Sequence, residues 1–264
     1  MTLENLEDYY DAVPRRGARA EDFGPLTLFV REGEGWPFYA RPTRSVSTAA
    51  SVADVERVRV RQRELGIPES FEWVAETTPS LRAAVEASGL PVHEHPLMVL
   101  DSAAFATASV PMVRLLDPDD PALPSALAVA HLAFADSGTK IGDAGLQELA
   151  EAVAEHAGDG SAERMRDRIR SGQTVMAAAV TEDHMALCSG AHQPVGATTE
   201  IVGVGTLPSA RRQGFGAAVT AALVADALGR GVETVFLSAG DEDVARIYGS
   251  LGFRRVGTAL IAEA

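Results

Sequence analysis

The sequence predicts a mixed α/β (α+β) fold, in which a twisted, mostly antiparallel sheet is flanked by helices. Strand-like runs rich in Val, Ile, Thr and Phe alternate with helical stretches of apolar periodicity. In the second half, the strand-like runs 173–182, 184–192 and 199–206 follow one another directly and are joined by short turns. Short connections are typical of antiparallel hairpins, so three consecutive antiparallel strands are expected here.

The chain is expected to divide into two parts. Its 264 residues suffice for one large domain or two small ones, and 46% of them are hydrophobic, which allows a sizeable core. The stretch 102–111, SAAFATASVP, is small, polar and without periodicity, and it is the predicted linker. We therefore predict a smaller N-terminal α/β lobe (1–108) and a C-terminal domain (109–264).

The N-terminal lobe carries clear helix signals. Ser51 precedes a helical run, Asp54 follows three residues later as an approximate capping box, and Gly66 with Pro68 ends the run. Strands are predicted at 23–32, 36–42, 71–76 and 92–101, and a second helix at 79–88.

The C-terminal domain is predicted to begin with a strand and helices and to end in α/β alternation. The predicted order is strand 112–116, helices 124–135, 145–157 and 162–171, the three hairpin strands, helix 215–230, strand 233–238, helix 242–251 and strand 253–261. Residues 71–90 repeat the strand–turn–helix–Gly pattern of residues 235–253, so the N-terminal lobe is either a reduced copy of the C-terminal one or a chance likeness.

Composition limits the classes of function. The net charge of −14 argues against nucleic-acid binding, which needs a basic surface; it suits a cationic substrate or simply keeps the protein soluble. Cys188 is the only cysteine, which excludes an intrachain disulfide and favours a reducing, cytoplasmic compartment. The acidic N-terminus lacks a signal-peptide core, and no apolar run approaches a membrane span, so no membrane partner is expected.

The stretch TLPSARRQGFGAAV (206–219) places two arginines and two glycines at the start of an apolar helix. Free N–H groups at a helix N-terminus carry partial positive charge, and glycines let an oxyanion approach them, so the expected guest is a pyrophosphate. An ordinary strand–helix turn is the alternative. The stretch lacks the Walker G-x-x-x-x-G-K-[ST] pattern and the dinucleotide G-x-G-x-x-G pattern.

Two motifs resemble those of the GNAT N-acetyltransferase superfamily. Thr206-x-Pro208-x-x-Arg211-Arg212-Gln213-Gly214-Phe215-Gly216 is similar to motif A, whose core [RQ]-x-x-G-x-[GA] lies at the acetyl-CoA pyrophosphate. Val244-Ala245-Arg246-Ile247-Tyr248-Gly249-Ser250-Leu251-Gly252-Phe253 resembles motif B. The resemblance covers roughly 110–264 and implies a GNAT fold; the N-terminal lobe carries no such motif.

The resemblance implies a cofactor site for acetyl-CoA and no metal. Backbone N–H groups from Arg212 to Ala217 should surround the pyrophosphate, and the main chain at Val204 and Thr206 should bond the pantetheine arm. The implied cofactor-binding residues are Val204, Thr206, Arg211, Arg212, Gln213, Gly214, Phe215, Gly216 and Ala217.

Strand alternation in TEIVGVGT places Glu200, Val202, Val204 and Thr206 on one face, with Gly203 and Gly205 on the other. The glycines leave space beside the backbone, either for the cofactor or for the long helix.

Two side chains are the predicted catalytic residues. Glu200 precedes the loop on the same strand and is the predicted general base, acting directly or through water; a merely solvated carboxylate is the alternative. Tyr248 is the predicted general acid for the departing thiolate, although Val244, Ile247, Tyr248 and Leu251 also form one apolar helix face suited to core packing. Asp241 stands where motif B often has Asn, so the resemblance gives little support for a side-chain contact to CoA at this position.

Several other residues have weaker support for a functional role. His93 and His95 share a strand face without a third ligand, so a metal site is not expected. Cys188 is read as a buried small hydrophobe. Asp136, Ser137 and Lys140 fall where the family places the acceptor, and Glu72 with Trp73 either faces an acceptor cleft or belongs to the core.

The predicted function is transfer of an acetyl group from acetyl-CoA to a primary amine by direct attack, with a small-molecule or peptide acceptor. A non-catalytic CoA or acyl-CoA sensor is the alternative, and a different acyl donor is a third possibility. The sequence leaves the acceptor and the oligomeric state open, a homodimer included.

Overall fold

The computed structural model describes residues 3–44, 46–136 and 138–264. The first part of the chain forms α1 (Leu3–Ala12), β1 (Ala18–Asp22), β2 (Leu26–Arg31), β3 (Ala40–Pro42), α2 (Val52–Leu65), β4 (Ser70–Val74), α3 (Leu81–Ala87) and β5 (Val92–Leu100). The sequence did not predict α1 and β1, and the strand predicted at 36–42 is confined to its last three residues. Every predicted helix of this part is confirmed, including the capping box of Ser51 and Asp54.

The second part forms β6 (Val113–Leu115), α4 (Leu123–Ala135), α5 (Leu146–Glu155), α6 (Ser161–Arg170), β7 (Val175–Val180), β8 (Ala186–Val195), β9 (Thr198–Thr206), α7 (Phe215–Gly229), β10 (Thr234–Ser238), α8 (Glu242–Ser250) and β11 (Phe253–Glu263). All of these were predicted, with shifts of a few residues at their ends. Between Leu100 and Val113 the chain makes only a short 3-10 turn, at Ser102–Ala104. The mixed fold predicted from the sequence is confirmed.

The chain folds into two compact units, residues 1–97 with 255–264, and residues 98–254. The first unit thus includes the C-terminal residues, which the predicted division into 1–108 and 109–264 did not anticipate. The reason is that β11 pairs with β4 of the first unit, from Ala259–Val74 to Glu263–Ser70. The domain boundary near residue 108 stays a prediction.

The first unit is built on strands in the order β1-β2-β3-β4-β11, antiparallel except for the β3–β4 pair. One core cluster includes Leu28, Phe71, Trp73, Leu81 and Leu260. Trp73 is only 2% exposed in this cluster, which decides for the core alternative at that position.

The first unit also holds a buried charged cluster. Arg41 of β3 pairs with Glu7 of α1, and both side chains are almost fully buried. Glu7 also accepts a hydrogen bond of 2.5 Å from the Thr77 hydroxyl. Burial raises the pKa of Glu72 to about 7; Arg41 opposes this shift and Glu263 adds to it.

The second unit is built on strands in the order β10-β9-β8-β7-β6, antiparallel except for the β9–β10 pair. The predicted run of three antiparallel strands is therefore confirmed. A Cβ at Gly205 would lie against Ala133 of α4, whereas one at Gly190 would lie against Val219 and Leu223 of α7. Ser189 pairs with Gly205, and Gly190 is the next residue, so α4 and α7 cover opposite faces of this sheet.

A buried histidine fastens α7 to the sheet. His192 of β8 is fully buried, and its ring nitrogens lie 3.0 Å from the Thr199 hydroxyl and 3.0 Å from the Asp226 carboxylate. Burial lowers the pKa of His192, although Asp226 favours the charged form. This three-residue contact fixes α7 against β9, two elements that carry predicted site residues.

In the described ranges, every helix is too short or too polar to traverse a lipid bilayer.

Candidate active site

A cleft of about 900 Å³ lies in the second unit, where β9 and β10 end and α7 and α8 begin. It is lined by both predicted catalytic residues and by most of the predicted cofactor-binding ones: Glu200, Tyr248, Val204, Thr206, Arg211, Arg212, Gly214, Phe215, Gly216 and Ala217. Of the predicted set, only Gln213 is not part of the lining. The fold therefore brings together residues that are up to 48 positions apart in the sequence.

The cleft opens where two parallel strands separate. The register of β9 and β10 pairs Thr234 with Thr198 and ends with Phe236 opposite Glu200. Strand β9 continues to Thr206, and β10 ends at Ser238. Beyond Glu200, the backbone edge of β9 that is paired with β10 earlier in the strand therefore faces the cleft. An extended ligand can hydrogen-bond to this edge as an additional strand would. Glu200 lies at the point of separation and is partly buried.

A β-bulge changes the predicted faces of β9. Gly203 has a φ of +63°, and the register with β8 shifts between the Ser189–Gly205 and Ala191–Val202 pairs. The extra residue breaks the alternation, because two residues of the bulged strand oppose one of its partner.

The prediction that Glu200, Val202, Val204 and Thr206 share one face is therefore wrong. Thr199 bonds the His192 ring on the α7 side, so its neighbour Glu200 points to the α4 side. Val204, beyond the bulge, lies on the α7 side, where its methyl group would be 2.9 Å from a Cβ at Gly190. Gly205 makes room for α4 rather than for the long helix α7.

The N-terminus of α7 presents uncapped amides to the cleft. Its N-cap, Gly214, has a φ of +81°, which favours glycine, and no side chain caps the helix. The first bond into the helix runs from Ala218 N to Gly214 O. In the part of the chain that the structure describes, the N–H groups from Gly214 to Ala217 therefore have no acceptor, which is the arrangement an anion needs.

Arg211 and Arg212 are placed differently. Arg212 is exposed, with a φ of +66°, and lines the cleft next to the free amides. Arg211 is only 6% exposed, and its guanidinium donates to the carbonyls of Ala133 (3.0 Å), Lys140 (3.0 Å) and Asp136. Its own N–H donates to Pro208 O at 3.4 Å. The Arg211 side chain is thus bonded to protein carbonyls, although the resemblance implied a cofactor-binding residue at this position.

Tyr248 lies on the buried face of α8, 8% exposed, with its ring edge-to-face against Phe253 at 6.0 Å. Among the described residues, no group hydrogen-bonds its hydroxyl. Burial raises the pKa of Tyr248 far above its usual value, and the nearby Cys188 adds to the shift. The phenol is thus protonated throughout the physiological range. The Tyr248 ring thus packs in the core while its hydroxyl stays available, so the core-packing interpretation and the proposed catalytic role are compatible.

Cys188 lies beneath the cleft and is fully buried, as predicted for a small hydrophobe. The Thr206 hydroxyl donates to its sulfur at 3.3 Å. Burial raises the pKa of Cys188 to about 12, so its thiol is protonated and unreactive at neutral pH.

The structure describes each of the remaining sequence-based candidates except Ser137. Asp136 and Lys140 lie in the segment held by Arg211, and Ser137 lies outside the described residues. Asp241 caps α8 by accepting a hydrogen bond from Val244 N at 2.8 Å. An aspartate directly before a helix is a common N-cap, so the sequence could have predicted this role. Sequence reasoning missed two lining residues that carry no recognisable pattern: Phe134, in the last turn of α4, and Thr139, in the segment after it. No three His, Cys, Asp or Glu side chains of the described ranges gather as metal ligands would.

Comparison with known proteins agrees with this geometry. The sequence profile of the Acetyltransferase (GNAT) family matches residues 143–253. A comparison with curated protein sequences finds no significant match.

Three solved structures illustrate the shared fold. A GCN5-related N-acetyltransferase from Kribbella flavida is 21% identical, with 98% of this chain and 94% of that chain covered and a TM-score of 0.67. A tandem GNAT protein from the clavulanic acid biosynthesis pathway is 16% identical, with 90% and 78% covered and a TM-score of 0.57. A GCN5-related N-acetyltransferase from Sphaerobacter thermophilus is 13% identical, with 100% and 85% covered and a TM-score of 0.55.

Residues 143–253 therefore form a domain of the GNAT acetyltransferase family, and the resemblance seen in the two motifs is confirmed. The likeness to a tandem GNAT protein extends over most of the chain and so includes the N-terminal lobe, which is also GNAT-like in fold.

Proposed function

We propose that the protein transfers an acetyl group from acetyl-CoA to a primary amine. The observation that carries this proposal is the meeting, in one cleft, of uncapped helix amides, a strand edge that has separated from its neighbour, a carboxylate and an available phenol. GNAT-family membership of residues 143–253 supports an acyltransferase.

The residues present fit acetyl-CoA. Four free N–H groups from Gly214 to Ala217 suit the oxygens of a pyrophosphate, and the exposed Arg212 adds positive charge beside them. The edge of β9 between Val202 and Thr206 suits the amides of a pantetheine arm. When bound, acetyl-CoA supplies a thioester whose acetyl group is activated toward amines.

Glu200 is proposed as the general base. An alkylammonium must lose a proton before it can attack, and a carboxylate within reach, or one water away, accepts that proton. Glu200 lies where the two strands separate, on the α4 side of the sheet beside Phe134 and Thr139. We therefore place the amine acceptor on this side of the cleft.

Tyr248 is proposed to serve the departing thiolate. Its raised pKa keeps the hydroxyl protonated, so it is always able to donate a hydrogen bond. An ordinary thiol has a pKa of about 8.5, well below that of the buried phenol, so complete proton transfer from Tyr248 is unfavourable. Stabilisation of the thiolate by a hydrogen bond is therefore the main role that we propose for Tyr248.

The test combines binding and turnover. Calorimetry with CoA and thiol release from acetyl-CoA with a panel of amines should show binding and activity. Glu200→Gln should lower kcat by about 10²–10⁴-fold, because the base is lost, while the Kd for CoA stays within about threefold. The matched control is Glu233→Gln, an exposed carboxylate just before β10, which should leave both quantities unchanged.

Two outcomes would count against the proposal. Failure of the wild-type protein to bind CoA would refute the cofactor site. Binding without turnover for any amine, and with no effect of Tyr248→Phe on a rate, would favour a CoA sensor. Parallel assays with succinyl-CoA would reveal a different donor.

A further inference from the structure

We propose that Arg211 is a positioning residue that ties the acceptor side of the cleft to the cofactor loop. The proposal rests on the proposed function, since it assigns the two sides of the cleft to acceptor and cofactor. We call residues 138–145 the α4–α5 loop and residues 208–217 the cofactor loop. Arg211 belongs to the cofactor loop, but its side chain donates to carbonyls at the end of α4 and in the α4–α5 loop.

The guanidinium of Arg211 serves as a cap for α4. Ala133 lies in the last turn of that helix, where carbonyls lack helical partners, and its oxygen accepts from Arg211 at 3.0 Å. The carbonyls of Asp136 and Lys140 accept from the same guanidinium, and the Asp136 carboxylate lies 3.6 Å away. A positive charge at a helix C-terminus is favourable, and here it comes from a residue more than 70 positions away.

Backbone hydrogen bonds of the two residues at 208 and 209, just before Arg211, reinforce this attachment. Gly142 N donates to Pro208 O at 3.1 Å, and Ser209 N donates to Ala144 O at 3.0 Å. Gly142 has no space for a side chain, because a Cβ there would overlap the Asp136 carboxylate and approach Pro208 within 2.9 Å. The two loops are thus packed in direct contact and share hydrogen bonds.

The α4–α5 loop and the end of α4 also form one wall of the cleft. Phe134, Gly138 and Thr139 line it, and Phe134 is 61% exposed. On the other side of Arg211, the chain continues directly into Arg212 and the free amides of α7. A ligand that fixes those amides therefore also fixes the segment that anchors the acceptor wall.

The burial of Arg211 distinguishes it from its neighbour. Among the described residues, the hydrogen bonds of its guanidinium go to carbonyls of the end of α4 and the α4–α5 loop, the wall that we assign to the acceptor. Arg211 is 6% exposed, whereas Arg212 is exposed and makes no such contacts in the described ranges. Removal of the Arg211 side chain would leave three carbonyls without their donor, which loosens the wall rather than the phosphate site.

The test compares Arg211→Ala with Arg212→Ala. At saturating acetyl-CoA, Arg211→Ala should raise the KM for the amine about tenfold or more, because charged hydrogen bonds are lost, and leave the Kd for CoA within about threefold. Arg212→Ala should do the reverse and raise the Kd for CoA about fivefold, as expected for an exposed charge pair. Arg211→Lys, which can donate to some of the carbonyls, should restore part of the acceptor KM.

Hydrogen exchange gives a readout that needs no activity. In the protein without ligand, residues 138–145 should exchange about tenfold faster in Arg211→Ala than in wild type or Arg212→Ala. CoA should slow exchange of this loop in wild type but not in Arg211→Ala. If Arg211→Ala does not fold, Gly142→Ala provides the second variant, and it should loosen the same loop and raise the same KM.

Three results separate the proposals. An increase in the Kd for CoA in Arg211→Ala as large as in Arg212→Ala, with unchanged loop exchange, would overturn the positioning role. Unchanged acceptor KM in both Arg211→Ala and Gly142→Ala would do so as well. If wild type binds no CoA, the proposed function fails, and faster loop exchange in ligand-free Arg211→Ala would still support the contact itself.

Discussion

Glu72 shows how burial at one position changes the response of the protein to pH. The carboxyl of Glu72 has a usual pKa of 4.5, and burial raises it to about 7 in the folded protein. Between these values the folded state holds a proton that the unfolded state has lost. The protonated form therefore stabilises the fold below pH 4.5, and this contribution is lost as the pH rises through 7.

Replacement of Glu72 by Gln should therefore stabilise the protein at alkaline pH. Denaturant titrations should show no difference from wild type near pH 4.5 and a gain in unfolding free energy of up to roughly 3 kcal/mol at pH 8. The exposed Glu94→Gln is the control and should change stability by less than about 0.5 kcal/mol at either pH. A difference between Glu72→Gln and wild type that does not vary with pH would contradict this explanation.

At the scale of single residues, the positions that a local pattern singled out meet in one cleft, and their roles stay predictions. Gly214, Gly216 and Tyr248 were predicted from the two motifs and Glu200 from its place on the preceding strand, and all four line one cleft. The direction of the Arg211 side chain was not predictable, because it depends on carbonyls of Ala133 and Asp136, which are distant in sequence. Local patterns do not specify which of two neighbouring arginines turns inward.

At the scale of the element, the bulge in β9 is the feature that alternation could not reveal. The strand was predicted at 199–206 and lies at Thr198–Thr206, yet the extra residue at Gly203 reverses the faces beyond it. Glycine inside a strand is a known sign of a bulge, but two glycines in TEIVGVGT left the position open. The order of elements was predictable because it needs only periodicity, whereas register needs the partner strand.

Gly203→Ala should destabilise the protein through the backbone alone. Nothing lies within 4 Å of the position of a Cβ at Gly203, but its φ of +63° is unfavourable for alanine, so the unfolding free energy should fall by about 1–2 kcal/mol. The control is Gly229→Ala at the end of α7, which has open space and no positive φ. There alanine should be neutral or stabilising by less than about 1 kcal/mol. Equal losses in the two variants, measured by denaturant titration, would argue against the strain.

At the scale of the whole molecule, the chain forms two cores, and the first unit combines residues from both ends of the given sequence. One cluster of buried residues includes Leu123, Val219 and Leu237, all from the second unit. The other includes Trp73 and also Leu260 of β11, near the end of the sequence. The sequence predicted two parts, but not that the final strand belongs to the first, since pairing between distant strands leaves no local signal.

Leu260→Ala should therefore weaken the first unit. Leu260 is 1% exposed and pairs in register with Trp73, so the change should lower the unfolding free energy by about 2–4 kcal/mol. Hydrogen exchange should accelerate most in β4, and less in β7 to β9. Arg254→Ala, at a side chain that is 73% exposed, is the control and should leave both patterns unchanged. Acceleration confined to β7–β9 would show that β11 supports the other core.

The pairing of β4 with residues 259–263 sets an order of events during synthesis. The ribosome delivers residues 1–97 first, then the entire second unit, and only afterwards the strand that covers β4. A nascent chain paused before residue 255 would display the bare edge of β4, which is open to pairing with other polypeptides. Completion of the sheet in residues 1–97 thus waits for a strand that is synthesised after the whole second unit.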